Sequence, residues 1–118
     1  MYSLNKILRN KELNPASKLV YIYLYQKAYD NQDKYRMLKP FLDAGDKEAS
    51  RMMLGTATKE IAEATGITTR TVARAIISLE EAGLVEKIPQ TTEIGTTAYN
   101  RYKVYETVGE QKFTIAEV

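Results

Sequence analysis

A mainly α fold carrying a β-hairpin (α+β) is what this 118-residue sequence predicts, with an extra helical insert between its first long helix and a later helical pair. Three observations predict it. A long apolar stretch opened by Asn14-Pro15 runs to about Asp30 at helical spacing. Two shorter helical stretches meet at Thr65-Gly66-Ile67, a sequence suited to a tight turn. After Gly83 the pattern changes to short alternating segments separated by a Thr- and Gly-rich interval. A chain of this length suits one domain with one modest core. Its composition, 44% hydrophobic and 27% charged, is that of a globular protein rather than a disordered one.

In chain order, Met1–Leu13 mixes Leu4, Ile7, Leu8 and Leu13 with Lys6, Arg9 and Lys11, and reads as an arm or a short packed helix. Asn14 is an N-cap, and Pro15 sits at the first helical position, where its missing N–H is no loss. The helix that follows is apolar almost all round. Val20, Tyr21, Leu24 and Ala28 form one stripe; Ile22, Tyr25 and Tyr29 form a second. Asn31–Tyr35 reads as a polar break. Arg36–Thr56 holds Pro40, Gly45 and apolar clusters at Met37, Leu38, Phe41, Leu42 and at Met52, Met53, Leu54. The second cluster reads as gap-filling core, and Asp46 is placed to cap a short helix ending near Met53. Thr58–Ala64 and Thr68–Ala82 are helices, with Gly83 at the usual stop position. Leu84–Ile88 and Arg101–Tyr105 are strands around a turn or long loop at Pro89–Asn100. The last dozen residues, with Phe113, Ile115 and Val118, stay open between a strand, a helix and a free tail. The nine tyrosines read as core and edge material, since four of them share one helix rather than a basic sheet.

Absent residue types limit the chemistry. With no histidine and no cysteine, the commonest general base, the thiolate nucleophile and the usual zinc ligands are missing. Ser3, Ser17, Ser50 and Ser78 have no base to activate them in a triad-like way. Glu60, Glu63, Glu80, Glu81 and Glu86 fall at spacings typical of solvated faces. No enzyme, metal or cofactor is expected. No signal-peptide core and no apolar run of about 20 residues appears, so the reading is a cytoplasmic protein that does not engage membrane. A net charge of +2 and a pI of about 8.7 are only mildly basic; where the charges fall decides more than their sum.

The informative block is Thr58–Val85. Ala62 is small where two helices approach, and Gly66 tolerates positive φ at the turn. Ile61, Ile67, Val72, Ile76 and Leu79 can share one core, and Thr68 can cap the second helix. With Val72, Ala75, Ile76 and Leu79 buried, the opposite face holds Arg70, Ala73, Arg74 and Ile77, flanked by Thr69 and Ser78. Two arginines beside small residues suit the floor of a major groove: a guanidinium takes guanine bidentately or grips a phosphate. Thr69 and Thr71, near the helix start, can donate to phosphates.

Ile61-Ala62, Gly66-Ile67-Thr68, Arg70-Thr71-Val72, Leu79-Glu80 and Gly83-Leu84-Val85 together resemble the helix-turn-helix of winged-helix DNA-binding domains. Leu13-Asn14-Pro15, followed by Lys18-Leu19-Val20-Tyr21, is similar to the opening helix of such domains in plasmid replication initiators, phage replisome organisers and small regulators of mobile elements. The resemblance covers roughly residues 4–105, interrupted by Arg36–Leu54, which is longer than the usual connection. It implies one winged helix-turn-helix domain over 1–118, with the helical pair at 58–82 and the wing at 84–105. It implies DNA contacts from Thr68, Thr69, Arg70, Thr71, Arg74 and Ser78, with Lys59 on the supporting helix and Lys87, Arg101 and Lys103 on the wing. Ile77 stands where a polar or basic residue is more usual.

The expected function is sequence-specific binding of double-stranded DNA in transcription regulation or in plasmid or phage maintenance, on nucleoid or plasmid in a bacterial cytoplasm. A partition adaptor and a replication-initiation factor are alternatives, with a motor NTPase or a replication protein as partner. A rival of another class is a protein–protein interaction module that has lost DNA binding, in which Arg70 and Arg74 are merely solvated. Ile22, Tyr25 and Tyr29, with Ile77, carry more apolar surface than one such domain buries, which predicts a homodimer or a lid formed by the insert.

Overall fold

The computed structural model describes residues 2–53, 55–89, 100–108 and 111–117. Among these described residues, six helices precede three strands: α1 Tyr2–Arg9, α2 Pro15–Asp30, α3 Gln32–Asp43, α4 Lys47–Met52, α5 Thr58–Thr65, α6 Thr69–Glu81, β1 Val85–Pro89, β2 Asn100–Val108 and β3 Gln111–Glu117. This is an α+β arrangement with a helical insert, α3 and α4, ahead of the α5–α6 pair.

Asn14 opens α2 in extended conformation, its side chain accepting from the Ser17 N–H at 2.8 Å, with Pro15 at the first helical position. At the other end a single residue, Asn31, closes α2 and begins α3. The polar break expected over Asn31–Tyr35 is therefore one joint residue. Asp33 and Lys34 are exposed residues of the first turn of α3, while Tyr35 and Leu38 turn inward three residues apart. A helical first turn with polar residues outward looks like a loop when read linearly; the buried pair distinguishes the two. Pro40 lies inside α3 on an exposed position, and the helix ends three residues later. Asp46 caps α4, accepting from the Glu48 and Ala49 N–H groups at 2.8 and 3.1 Å.

The strands form one antiparallel sheet in the order β1-β2-β3. Val85 pairs with Val104, Lys87 with Tyr102 and Ile88 with Arg101, and β2 shifts register against β3 between Val104 and Tyr105. The chain after Val108 thus adds a third strand. Thr56 forms an isolated bridge to Asn100, exchanging N–H···O bonds of 2.9 and 3.2 Å. The interval 90–99, where the sequence puts most of the loop between the strands, lies outside the described residues.

At the centre is α2. Val20, Tyr21, Leu24, Tyr25 and Ala28 are all buried in it, and α1, α3, α5, α6, β2 and β3 pack around it. Cover from several sides accounts for a helix that is apolar almost all round. Tyr25, expected at a dimer contact, is only 5% exposed and belongs to the core; Ile22 is half-buried and Tyr29 is 55% exposed. The Tyr21 hydroxyl donates to the Tyr105 carbonyl at 2.7 Å, joining α2 to β2 across 84 residues of sequence. Burial, with the Glu106 charge as a lesser cause, pushes the Tyr21 phenol well above its ordinary value. Among the described residues, no helix is long and apolar enough to cross a membrane.

Gly55 holds the α4–α5 connection against β2. A Cβ added there would collide with the Asn100 carbonyl and come within 2.9 Å of the Arg101 nitrogen. Both are backbone atoms, so relief requires moving the strand. Gly55→Ala is expected to destabilise the fold by about 3 kcal/mol, the upper end of overpacking costs. Urea unfolding monitored by circular dichroism checks it; a loss below about 0.5 kcal/mol would contradict this close approach.

Candidate nucleic-acid interface

Two short helices and the turn between them build the surface. α5 ends at Gly66, whose φ of 74° and ψ of 17° lie in the left-handed region, and its N–H returns to the Ala62 carbonyl at 2.9 Å. A Cβ at Gly66 would meet nothing within 4 Å. Glycine is needed there for its backbone angles, not for space. Gly66 has the positive φ that the sequence reading expects of it and reverses the chain, while Ala62 packs against the core.

Thr68 then starts α6. It adopts φ −68° and ψ 154°, and its hydroxyl accepts from the Thr71 N–H at 3.3 Å while donating to the Thr71 hydroxyl at 2.9 Å. Thr71 is left with its own proton to donate outward. Val72, Ala75, Ile76 and Leu79 are buried and face the core. The same rotation puts Arg70, Ala73, Arg74 and Ile77 outside, all exposed. Thr68 and Thr69 are also exposed, and Thr71 and Ser78 are half-buried at the margin. Among the described residues neither Arg70 nor Arg74 has an ion pair or hydrogen bond, so both guanidinium groups stand in solvent. The pairing with Glu81 that a merely solvated surface would allow is not formed.

Lys59 is exposed in the first turn of α5. Nearby Glu60 accepts from the Thr56 hydroxyl at 2.9 Å and lies 4.0 Å from Lys27, which partly neutralises an acid on the supporting helix. The three basic residues expected on the wing do not share a face. In the β1–β2 register Lys87 opposes Tyr102, whereas Arg101 opposes Ile88 and Lys103 opposes Glu86. Since side chains alternate along a strand, Arg101 and Lys103 lie on one face and Lys87 on the other. Lys87 is exposed; Arg101 and Lys103 are half-buried. Tyr105 donates from its hydroxyl to Glu86 at 2.7 Å.

The pattern that defines the helix-turn-helix domain family matches residues 11–85, which is more than half of the chain. This chain is a member of that family. Neither the curated proteins nor the solved structures compared with it gave a match. The matched segment begins just before the Asn14 cap and ends in β1, taking in the insert and the whole α5–α6 pair. Helix-turn-helix domains lay their second helix in a major groove, so membership supports double-stranded DNA as the partner. In this helix-turn-helix domain the second helix is α6. Sequence reasoning identified that helix and its outward residues; it did not single out Gly55, which no periodicity or motif marks.

Thr68 tests the local construction. Thr68→Ala removes the hydroxyl that satisfies an orphan N–H at the start of α6, and is expected to lower stability by about 1 kcal/mol. Thr68→Ser should restore it. Thermal unfolding of the two variants checks this; equal melting temperatures for Ala and Ser would contradict the cap.

Proposed function

We propose that this helix-turn-helix domain binds double-stranded DNA sequence-specifically, with Arg70 and Arg74 reading or gripping the major groove. One observation carries the reading: two exposed guanidinium groups one turn apart on the outward face of the second helix, neither paired with any other described residue. Thr69 and Thr71 at the start of α6 donate to phosphates, Thr68 supports them by giving its hydroxyl proton to Thr71, Ser78 borders the contact, and Lys59 approaches the backbone from α5. Lys87, Arg101 and Lys103 belong to a wing spanning 84–105 that follows the 58–82 pair within a single winged domain. Arg101 and Lys103 act on one face of that wing, and Lys87 acts separately.

The role is regulation of transcription, or maintenance of a plasmid or phage, in a bacterial cytoplasm; partition and replication initiation are variants of the same DNA-bound activity. The chain acts as a homodimer, because one helix reads few base pairs and a second half-site multiplies specificity. Tyr29 and part of Ile22 are the accessible members of the expected contact. Catalysis is no part of this reading. A second reading, a protein-interaction module, is favoured by Met37 and Phe41, which stand exposed one turn apart on α3.

Mobility-shift titration on mixed-sequence duplex separates the two. The expected affinity falls by roughly 10³-fold between 50 and 200 mM salt if about six phosphates are neutralised. Arg74→Ala should cost about 1–3 kcal/mol at the preferred base, with fold stability changed by less than about 0.5 kcal/mol. Affinity that ignores both salt and the substitution would refute this use of α6.

A further inference from the structure

Ile77 is the residue on α6 that an electrostatic account leaves over. It is apolar and 55% exposed. At 100° per residue it lies about 20° around the helix from Arg70 and about 60° from Arg74, roughly opposite the buried stripe. Seven residues past Arg70, it is displaced about 10.5 Å along the axis. The next residue on that line is Glu81, exposed and acidic, preceded by exposed Glu80. Those carboxylates would face phosphates if the contact ran further, so the surface suited to DNA ends before Glu80.

An isoleucine side chain has no hydrogen bond to offer a base edge. What the major groove offers an apolar group is the C5-methyl of thymine, which only A·T and T·A pairs present. Building on the proposed DNA binding, we infer that Ile77 is a specificity-determining residue that packs on a thymine methyl, so that the preferred half-site carries a T·A pair beside the base approached by Arg74. Arg70 and Arg74 hold the helix in the groove; Ile77 selects one base pair by burying its methyl.

The test begins by selecting binding sites for the full chain from a duplex library with a randomised centre. The chosen duplex is then remade with deoxyuridine for thymine, one position at a time. This deletes the methyl and leaves base pairing intact. At one thymine, wild-type affinity is expected to fall about fourfold, the value of one buried carbon group. Ile77→Ala, which alters an exposed position and should melt with the wild type, binds the thymine duplex about as weakly and no longer responds to deoxyuridine. Selection repeated with Ile77→Ala loses the T·A preference at that position and keeps the others. If a site is selected but no deoxyuridine position matters, or if Ile77→Ala responds as the wild type does, this inference falls while the proposed function stands. If Ile77→Ala instead changes the sedimentation of the free protein, Ile77 belongs to a protein contact and the inference is overturned. Failure of the wild type to bind any duplex overturns the proposed function and this inference with it.

Discussion

Burial of apolar surface against α2 holds the molecule together, and the exposure of α6 follows from it. Val20, Leu24 and Ala28 are fully buried in that helix, as are Ile61 of α5 and Val72 and Leu79 of α6. Each such larger side chain contributes about 1.5–3 kcal/mol by leaving water. The ion pairs Lys27–Glu60, Arg36–Asp33 and Lys39–Asp43 are exposed, at 3.2–4.0 Å, and pairs of that kind contribute about 0–1 kcal/mol each. Packing therefore decides how α6 is rotated. Once its apolar stripe is fixed against the core, 3.6 residues per turn leave Arg70, Arg74 and Ile77 on the outside.

Packing alone does not set where α6 begins. The left-handed residue Gly66 ends α5, and Thr68 restarts the helix two residues later with its own hydroxyl as cap. This short reversal puts the polar start of α6, with its unsatisfied N–H groups and positive dipole end, on the same surface as the arginines. Anchor, turn and outward stripe thus act in series. Tyr21, bonded to the Tyr105 carbonyl, extends the same anchoring from α2 into the sheet.

Much of this was legible in the sequence, and the reasons are local. Asn14-Pro15 and Asp46 announce helix starts through chemistry that acts within three residues. Gly66, Thr68 and the apolar spacing of α6 do the same, and together they identify the outward face. What escaped the sequence depends on contacts between distant segments. The Asn31 joint hides because the first turn of α3 is polar, and only burial of Tyr35 and Leu38 by other elements reveals a helix. Gly55 matters because Asn100, 45 residues later, passes directly over it. Tyr25 falls on a second stripe of α2, and nothing in the sequence says that this helix is packed from several sides. The wing residues form a similar case: Lys87, Arg101 and Lys103 look equivalent until strand register sorts them onto opposite faces.

On the proposed function, the outward face of α6, and not the exposed apolar residues of α2 and α3, is the working surface. The most direct measurement is an amide chemical-shift titration of the isotope-labelled chain with short duplex DNA. Shifts are expected to concentrate at Thr69–Ser78, with the amides around Tyr29, Met37 and Phe41 unmoved. Shifts confined to α2 and α3 while α6 stays still would contradict it.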